Sequence, residues 1–304
     1  MLLKLGGHAM RVCIKLSSLL LLSGLILTPP VTLQGQTGVV EVNGVSLPYE
    51  ITGSGEPLVL IHGWAVHMGF WDTDVEALAR HYTVIRYDRR GFGAATGKPD
   101  LTADPADLES LLDELGIPRA HVMGHSQGTN VALTFAVRHP EMVDGLILFG
   151  AAPPAGFGLP PGEDGPPIAE WIAIGRAHGV DSLKAAIGQW AALQFGGSPD
   201  QMMARGGALM APYTGLDLID PDPPLNLAEP ARIDELGLVE APTLVIHGQR
   251  EMPYFQVVAP VLTYGIPDAR KVIIPGGGHT VNWAEPERFA AEVLRFLREV
   301  YDRR

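Results

Sequence analysis

Cysteine is nearly absent: Cys13 is the only one among 304 residues. No disulfide can form within one chain, and zinc motifs of the CxxC type are excluded. The ten histidines are scattered without an HExxH pair, so no metal site is signalled. Positive charge is also scarce. Lys and Arg number 22 against 34 Asp and Glu, a formal net charge of -12. An acidic chain without a basic run is not expected to take nucleic acid as a partner, and polyanionic substrates are disfavoured. The 36 Gly and 26 Pro follow no fixed period, which excludes collagen-like and solenoid architectures. What remains is ample apolar material. Hydrophobic residues make up 46%, with five Trp and nine Phe, enough to bury a sizeable core.

Residues 1–35 read as a secretion signal. Lys4, Arg11 and Lys15 provide a positive start without an acid, and Leu16–Leu27 (LSSLLLLSGLIL) is an apolar stretch of 12 residues. A transmembrane helix needs about 18–20. Pro29 and Pro30 then break any helix. The expectation is a secreted or periplasmic chain with no stable membrane span after cleavage. The alternative is a chain anchored by an uncleaved N-terminal segment. Cys13 would leave with the signal, and a cysteine-free mature chain suits an oxidising compartment.

Beyond Gln36, short apolar runs alternate with helical patterns. Asn43-Gly44 between Val39–Val42 and Val45–Ile51 signals a type I′ hairpin. PLVLI (57–61), TVIRY (83–87), AHVMG (120–124), GLILF (145–149), TLVIH (243–247) and KVII (271–274) read as strands buried on both faces. Helical spacing appears in Leu108, Leu111, Leu112 and Leu115, in Gln127–Arg138, and in Phe289, Val293, Phe296, Leu297 and Val300. The expected fold class is α/β, a doubly wound and mostly parallel sheet opened by an antiparallel hairpin. Residues 151–240 break the rhythm, holding 12 of the 26 prolines and no convincing strand. Helical patterns near 168–178, 181–195 and 199–210 suggest a helical cap inserted into a core of 36–150 and 241–304.

Gly124-His125-Ser126-Gln127-Gly128 is a GxSxG pentapeptide between a buried strand and a helix. In that context the turn is sharp enough to lift the Ser126 hydroxyl above the sheet edge. The following helix N-terminus favours developing negative charge there. A serine needs a base, and Gly276-Gly277-Gly278-His279 after the last strand places one at a strand end. His62 and His247 close strands and have a simpler reading as loop hydrogen-bonding groups; His125 is turned away by the geometry of the elbow. The third member should orient the imidazole, and Glu251 is the only acid in the Gly248-Gln249-Arg250-Glu251 loop. Oxyanion donors are expected from the backbone N–H groups of Gln127 and of Trp64 in His62-Gly63-Trp64. Arg89 and Arg90 read as braces of their loop. Among the aromatic and Met residues of 151–240, Trp171, Trp190, Met202 and Tyr213 are candidate substrate-binding residues.

Taken together and in order, these motifs resemble the serine α/β-hydrolase family over about residues 40–300. They are His62-Gly63-Trp64, Asp88-Arg89-Arg90-Gly91-Phe92-Gly93, GHSQG, His139-Pro140, Gly248–Glu251, and Gly278-His279 with Glu285-Pro286. The resemblance implies a triad at Ser126, Glu251 and His279, an oxyanion hole framed by Trp64 and Gln127, and no cofactor. Glu251 stands where the family usually has Asp; glutamate triads occur in its carboxylesterases and in some acyl-homoserine lactonases. The expected activity is hydrolysis of carboxylic esters with small or medium, mostly apolar acyl groups through an acyl-enzyme. Alternatives are a lactonase, acyl-homoserine lactones included, a carbon–carbon bond hydrolase, and a non-catalytic ligand receptor on the same fold. A carbon–carbon bond hydrolase would want cap arginines for acidic substrates, and only Arg176 and Arg205 lie between 151 and 231.

Overall fold

The computed structural model describes residues 35–158, 165–194, 199–220 and 231–303, without the side chains of 192–194 and 199–202. The secretion signal therefore falls outside the described residues, apart from residue 35. Eight strands are described: β1 (Gln36–Val42), β2 (Val45–Gly53), β3 (Pro57–Ile61), β4 (Thr83–Tyr87), β5 (Ala120–His125), β6 (Val143–Phe149), β7 (Thr243–Gly248) and β8 (Ala269–Ile274). The core helices before the insertion are α1 (Asp72–Ala79), α2 (Asp104–Glu114) and α3 (Gln127–Arg138). Between β6 and β7 lie α4 (Ile168–His178), α5 (Val180–Gln194), α6 (Pro199–Met210) and α7 (Leu216–Ile219). The chain closes with α8 (Pro253–Gln256), α9 (Val258–Gly265), α10 (Val281–Ala284) and α11 (Pro286–Asp302).

The strands form one sheet in the order β1-β2-β4-β3-β5-β6-β7-β8. β1 and β2 join by antiparallel pairing, β2 meets β4 antiparallel, and every pair from β4 to β8 is parallel. Asn43 and Gly44 both take positive φ, 48° and 76°, as a type I′ turn requires. The sequence explains the sheet's burial on both sides. Val59 and Ile61 join α2, α3 and α9 in one core, through Leu108, Leu112, Val131, Phe135, Val258 and Leu262. Leu58 and Leu60 face the other way, toward Leu78 of α1 and Phe289, Val293 and Leu297 of α11. Each fully buried large apolar side chain contributes about 1.5–3 kcal/mol, so both faces must be covered for these strands to be stable. Parallel pairing has a second consequence. It brings the carboxyl ends of β3, β5, β6, β7 and β8 to one edge, where α/β sheets bind ligands.

Candidate active site

The elbow after β5 is a constrained point of that edge. Ser126 has φ 50° and ψ -124°, a conformation that a residue with a Cβ resists. It persists because its neighbours leave room. A Cβ on Gly124 would drive into the Gly128 carbonyl, and one on Gly128 into the carbonyls of Ile61 and His62. The Ser126 amide is tied to the Phe149 carbonyl of β6 at 3.2 Å. The hydroxyl is thereby presented at the N-terminus of α3, which begins at Gln127.

Three side chains from three strand ends meet there. His279 Nε2 lies 3.0 Å from Ser126 Oγ. His279 Nδ1 lies 3.2 Å from both Oε1 and Oε2 of Glu251. With the proton on Nδ1, the imidazole donates to Glu251 and accepts from the Ser126 hydroxyl. Glu251 is 2% exposed and also accepts from the Met252 amide at 3.1 Å. Its loop is pinned to the His279 loop, since the Arg250 amide donates to the Gly277 carbonyl at 2.7 Å. Phe255 packs on the His279 ring at 4.4 Å, and His125 Nε2 meets the His279 carbonyl at 3.2 Å. Burial pushes the His125 imidazole well below its ordinary range, with His279 adding to the effect. His125 therefore stays neutral beside its neighbour.

The loop after β3 passes directly over the elbow; a Cβ at Gly63 would stand 3.1 Å from that of Ser126. Arg89 holds this loop from beneath. Its Nε bonds Asp104 at 3.0 Å, its Nη1 reaches the His62 carbonyl at 3.2 Å, and its Nη2 reaches Gln127 Oε1 at 3.1 Å. Arg90 pairs with Asp107 at 2.7 Å. Both arginines thus brace structure. His62 accepts from the Arg89 amide at Nε2 and donates from Nδ1 to the Gly63 carbonyl at 2.8 Å. Burial lowers its basicity, which suits a single proton at Nδ1.

A cavity of about 1090 Å³ opens above Ser126 and His279. Its wall includes Trp64 and Gln127 from the core, and Trp171 and Trp190 from the inserted helices. No Lys or Arg lines it among the described residues. Tyr213 does not line it, contrary to expectation. The ring is stacked on Phe92 at 6.1 Å, and the hydroxyl is drawn back to donate to buried Asp217. The side chain of Met202 lies outside the described residues. Sequence reasoning missed the contributions of Phe70, Tyr254, Phe255 and Trp283 to the cavity. It also missed Asp217, which accepts from Trp64 Nε1 at 2.6 Å. Asp217 carried no motif or spacing signal; Trp283 could have been found by its place four residues after His279. Among the described residues, no group of three His, Cys, Asp or Glu is disposed to hold a metal, and no helix is long and apolar enough to cross a membrane.

A serine, a histidine and a buried acid joined in series, beside backbone amides at a helix start, form a constellation suited to acyl transfer. The comparisons agree with the fold. The family description of the alpha/beta hydrolase family matches residues 58–292, and the chain belongs to that family. It is 29% identical over 263 residues to the pimeloyl-[acyl-carrier protein] methyl ester esterase of Nitrosomonas europaea, covering 81% of this chain and 97% of that one. It is 31% identical over 264 residues to the 2-hydroxy-6-oxononadienedioate/2-hydroxy-6-oxononatrienedioate hydrolase of Burkholderia vietnamiensis, covering 82% and 90%. A thermophilic esterase from Thermogutta terrifontis superposes with a TM-score of 0.72 at 26% identity, over 87% of this chain and 99% of its own.

Proposed function

We propose that this protein hydrolyses carboxylic esters of uncharged, mostly apolar acyl groups through an acyl-enzyme on Ser126. One observation carries the reading: the 3.0 Å approach of Ser126 Oγ to His279 Nε2, backed by Glu251, at the floor of the cavity. Ser126 attacks the carbonyl carbon as His279 takes its proton. The oxyanion is received by the N–H groups of Trp64 and Gln127. His279 then protonates the departing alcohol, and water repeats the sequence on the acyl-enzyme. Glu251 keeps the imidazole in its working tautomer and stabilises the imidazolium. Residues 151–240 act as the cap that selects the acyl group, with Trp171 and Trp190 on its cavity face.

The Burkholderia relative is named for a dioate substrate. A cavity wall without Lys or Arg among the described residues disfavours such a dianion here, which ranks ester cleavage above carbon–carbon bond cleavage. Turnover of a p-nitrophenyl ester series, from acetate to long chains, tests the reading against Ser126→Ala. Wild type should turn over, and the variant should lose at least about 10³-fold in kcat. Activity that survives the substitution sinks the nucleophile assignment. A folded wild type that ignores every ester but opens lactones would move the reading to a lactonase. Ligand binding without any turnover would make it a receptor. The N-terminal 35 residues we read as an export signal; N-terminal sequencing of protein from fractionated cells tests that, and an intact Met1 in the cytoplasmic fraction would refute it.

A further inference from the structure

The loop that carries the Trp64 amide is restrained at three points. Beneath it, the Gly63 carbonyl accepts from His62 Nδ1 at 2.8 Å and lies 3.4 Å from Arg89 Nη1. That carbonyl and the Trp64 N–H share one planar trans peptide, so the N–H points away from His62 and Arg89. Immediately after, Ala65 takes φ 60°, in the left-handed region that a residue with a Cβ resists. A turn of this kind survives only where its surroundings over-determine it.

The third restraint comes from the inserted helices. Asp217 on α7 is 3% exposed, and its Oδ2 accepts from the Trp64 indole Nε1 at 2.6 Å. Its Oδ1 accepts from Tyr213. The indole is further held by stacking on Trp171 at 5.7 Å and 19°, and by the edge of Tyr213 at 5.6 Å. A buried carboxylate is retained at a cost unless its oxygens are satisfied, and here both are. Replacing it by an apolar residue would leave two donors without an acceptor.

We propose that Asp217 is a positioning residue for the oxyanion hole: by anchoring the Trp64 indole, it holds the Trp64 backbone N–H toward the reacting carbonyl. The consequence is that the inserted helices complete the catalytic geometry as well as shaping the cavity. This rests on the acyl-transfer reading above.

The test uses the full chain and a fluorophosphonate probe. Ser126 Oγ attacks phosphorus, fluoride leaves, and the proton passes to His279; the phosphoryl oxygen gains negative charge in the transition state and so reports on the hole. Trp64→Phe keeps the backbone amide and an aromatic ring but removes the indole donor. Asp217→Leu removes both acceptors; an Asn there could still bond the indole with its oxygen and the Tyr213 hydroxyl with its amide N–H. Each should slow labelling at Ser126 by about 10- to 100-fold and lower ester kcat, and Asp217→Leu, away from the cavity wall, should leave KM changed less than about 2-fold. The double variant should be no slower than the slower single one, because both break the same link. Thermal melting identifies a variant that fails to fold; if Asp217→Leu does, Trp64→Phe carries the test alone. Folded variants that label at the wild-type rate overturn the proposal. So do losses that multiply in the double variant. A wild type that does not label at Ser126 overturns the acyl-transfer reading instead, and with it this role.

Discussion

On the strand ends, Ser126, His279 and Glu251 are joined at 3.0–3.2 Å, the Glu251 and His279 loops are pinned to each other by a backbone hydrogen bond, and the Ser126 amide is pinned to β6. On the inserted helices facing them, Trp171 and Trp190 meet edge to face at 5.4 Å, and Met210 completes a mainly apolar cluster. Directional bonds set the first group; ring contacts and burial set the second. A hydrogen-bond series tolerates little displacement, whereas an apolar wall can change its outline and still exclude water. On the function proposed above, the difference divides chemistry from selectivity. Asp217, Arg205 and Asp220, the last paired with Lys98, link the inserted helices to the core through polar or charged side chains. Arg205 of α6 lies 4.0 Å over the Trp283 ring and bonds Thr73 at 3.2 Å.

The largest expected effect comes from breaking the strand-end half. Glu251→Gln retains the shape but removes the charge that stabilises the imidazolium. The amide also favours the wrong tautomer of His279. Steady-state ester kinetics should show kcat reduced by about 10²- to 10⁴-fold with folding intact. A loss under 10-fold would mean that Glu251 is a packing residue.

A second effect is expected at the seam. Asp74 of α1 is buried and accepts from Asn282 Nδ2 at 2.8 Å. Burial raises its carboxyl to about 7, opposed by Asn282, Arg205 and Thr73. In the unfolded chain it titrates near 4. The folded state therefore holds the proton more tightly, and stability is lost as pH rises from about 4 through about 7. Asn282 Oδ1 has no partner, so an Asn at position 74 could donate to it where ionised Asp74 cannot. In urea unfolding, Asp74→Asn should exceed wild type at pH 8 by on the order of 2 to 4 kcal/mol. The gap should close near pH 4. Equal gaps at both pH values would refute the account.

The smallest effect is expected in the inserted half. Trp190→Ala should raise KM for the longest acyl chains by about 3- to 10-fold and leave kcat for acetate within about 2-fold. If kcat for acetate falls as far as KM rises for long chains, the division between the two halves is wrong.

Much of the strand-end half was legible in advance. GxSxG followed a run of buried apolar residues, and Gly276–Gly278 preceded His279, so each could be placed at a strand end from local pattern alone. The strands at 57–61 and 83–87 coincide with β3 and β4, because an apolar run between turn residues has little choice of structure. The helices at 168–178 and 199–210 likewise coincide with α4 and α6. What stayed hidden was partnership beyond these motifs. Tyr213 and Trp171 share the same aromatic character, yet Trp171 lines the cavity and Tyr213 stands behind Trp64. Neither residue's neighbours in sequence distinguish them.

The amino-acid sequence by itself determined the periodicities, the glycines that permit the elbow, and the residue types able to transfer a proton. These are local matters, set by φ, by side-chain chemistry and by the apolar pattern. Tertiary structure alone decided the partnerships that carry no motif: Trp64 and Asp217 lie 153 positions apart. Such contacts depend on strand order and on how the inserted helices settle over the sheet edge, and no spacing along the chain encodes a distance across it.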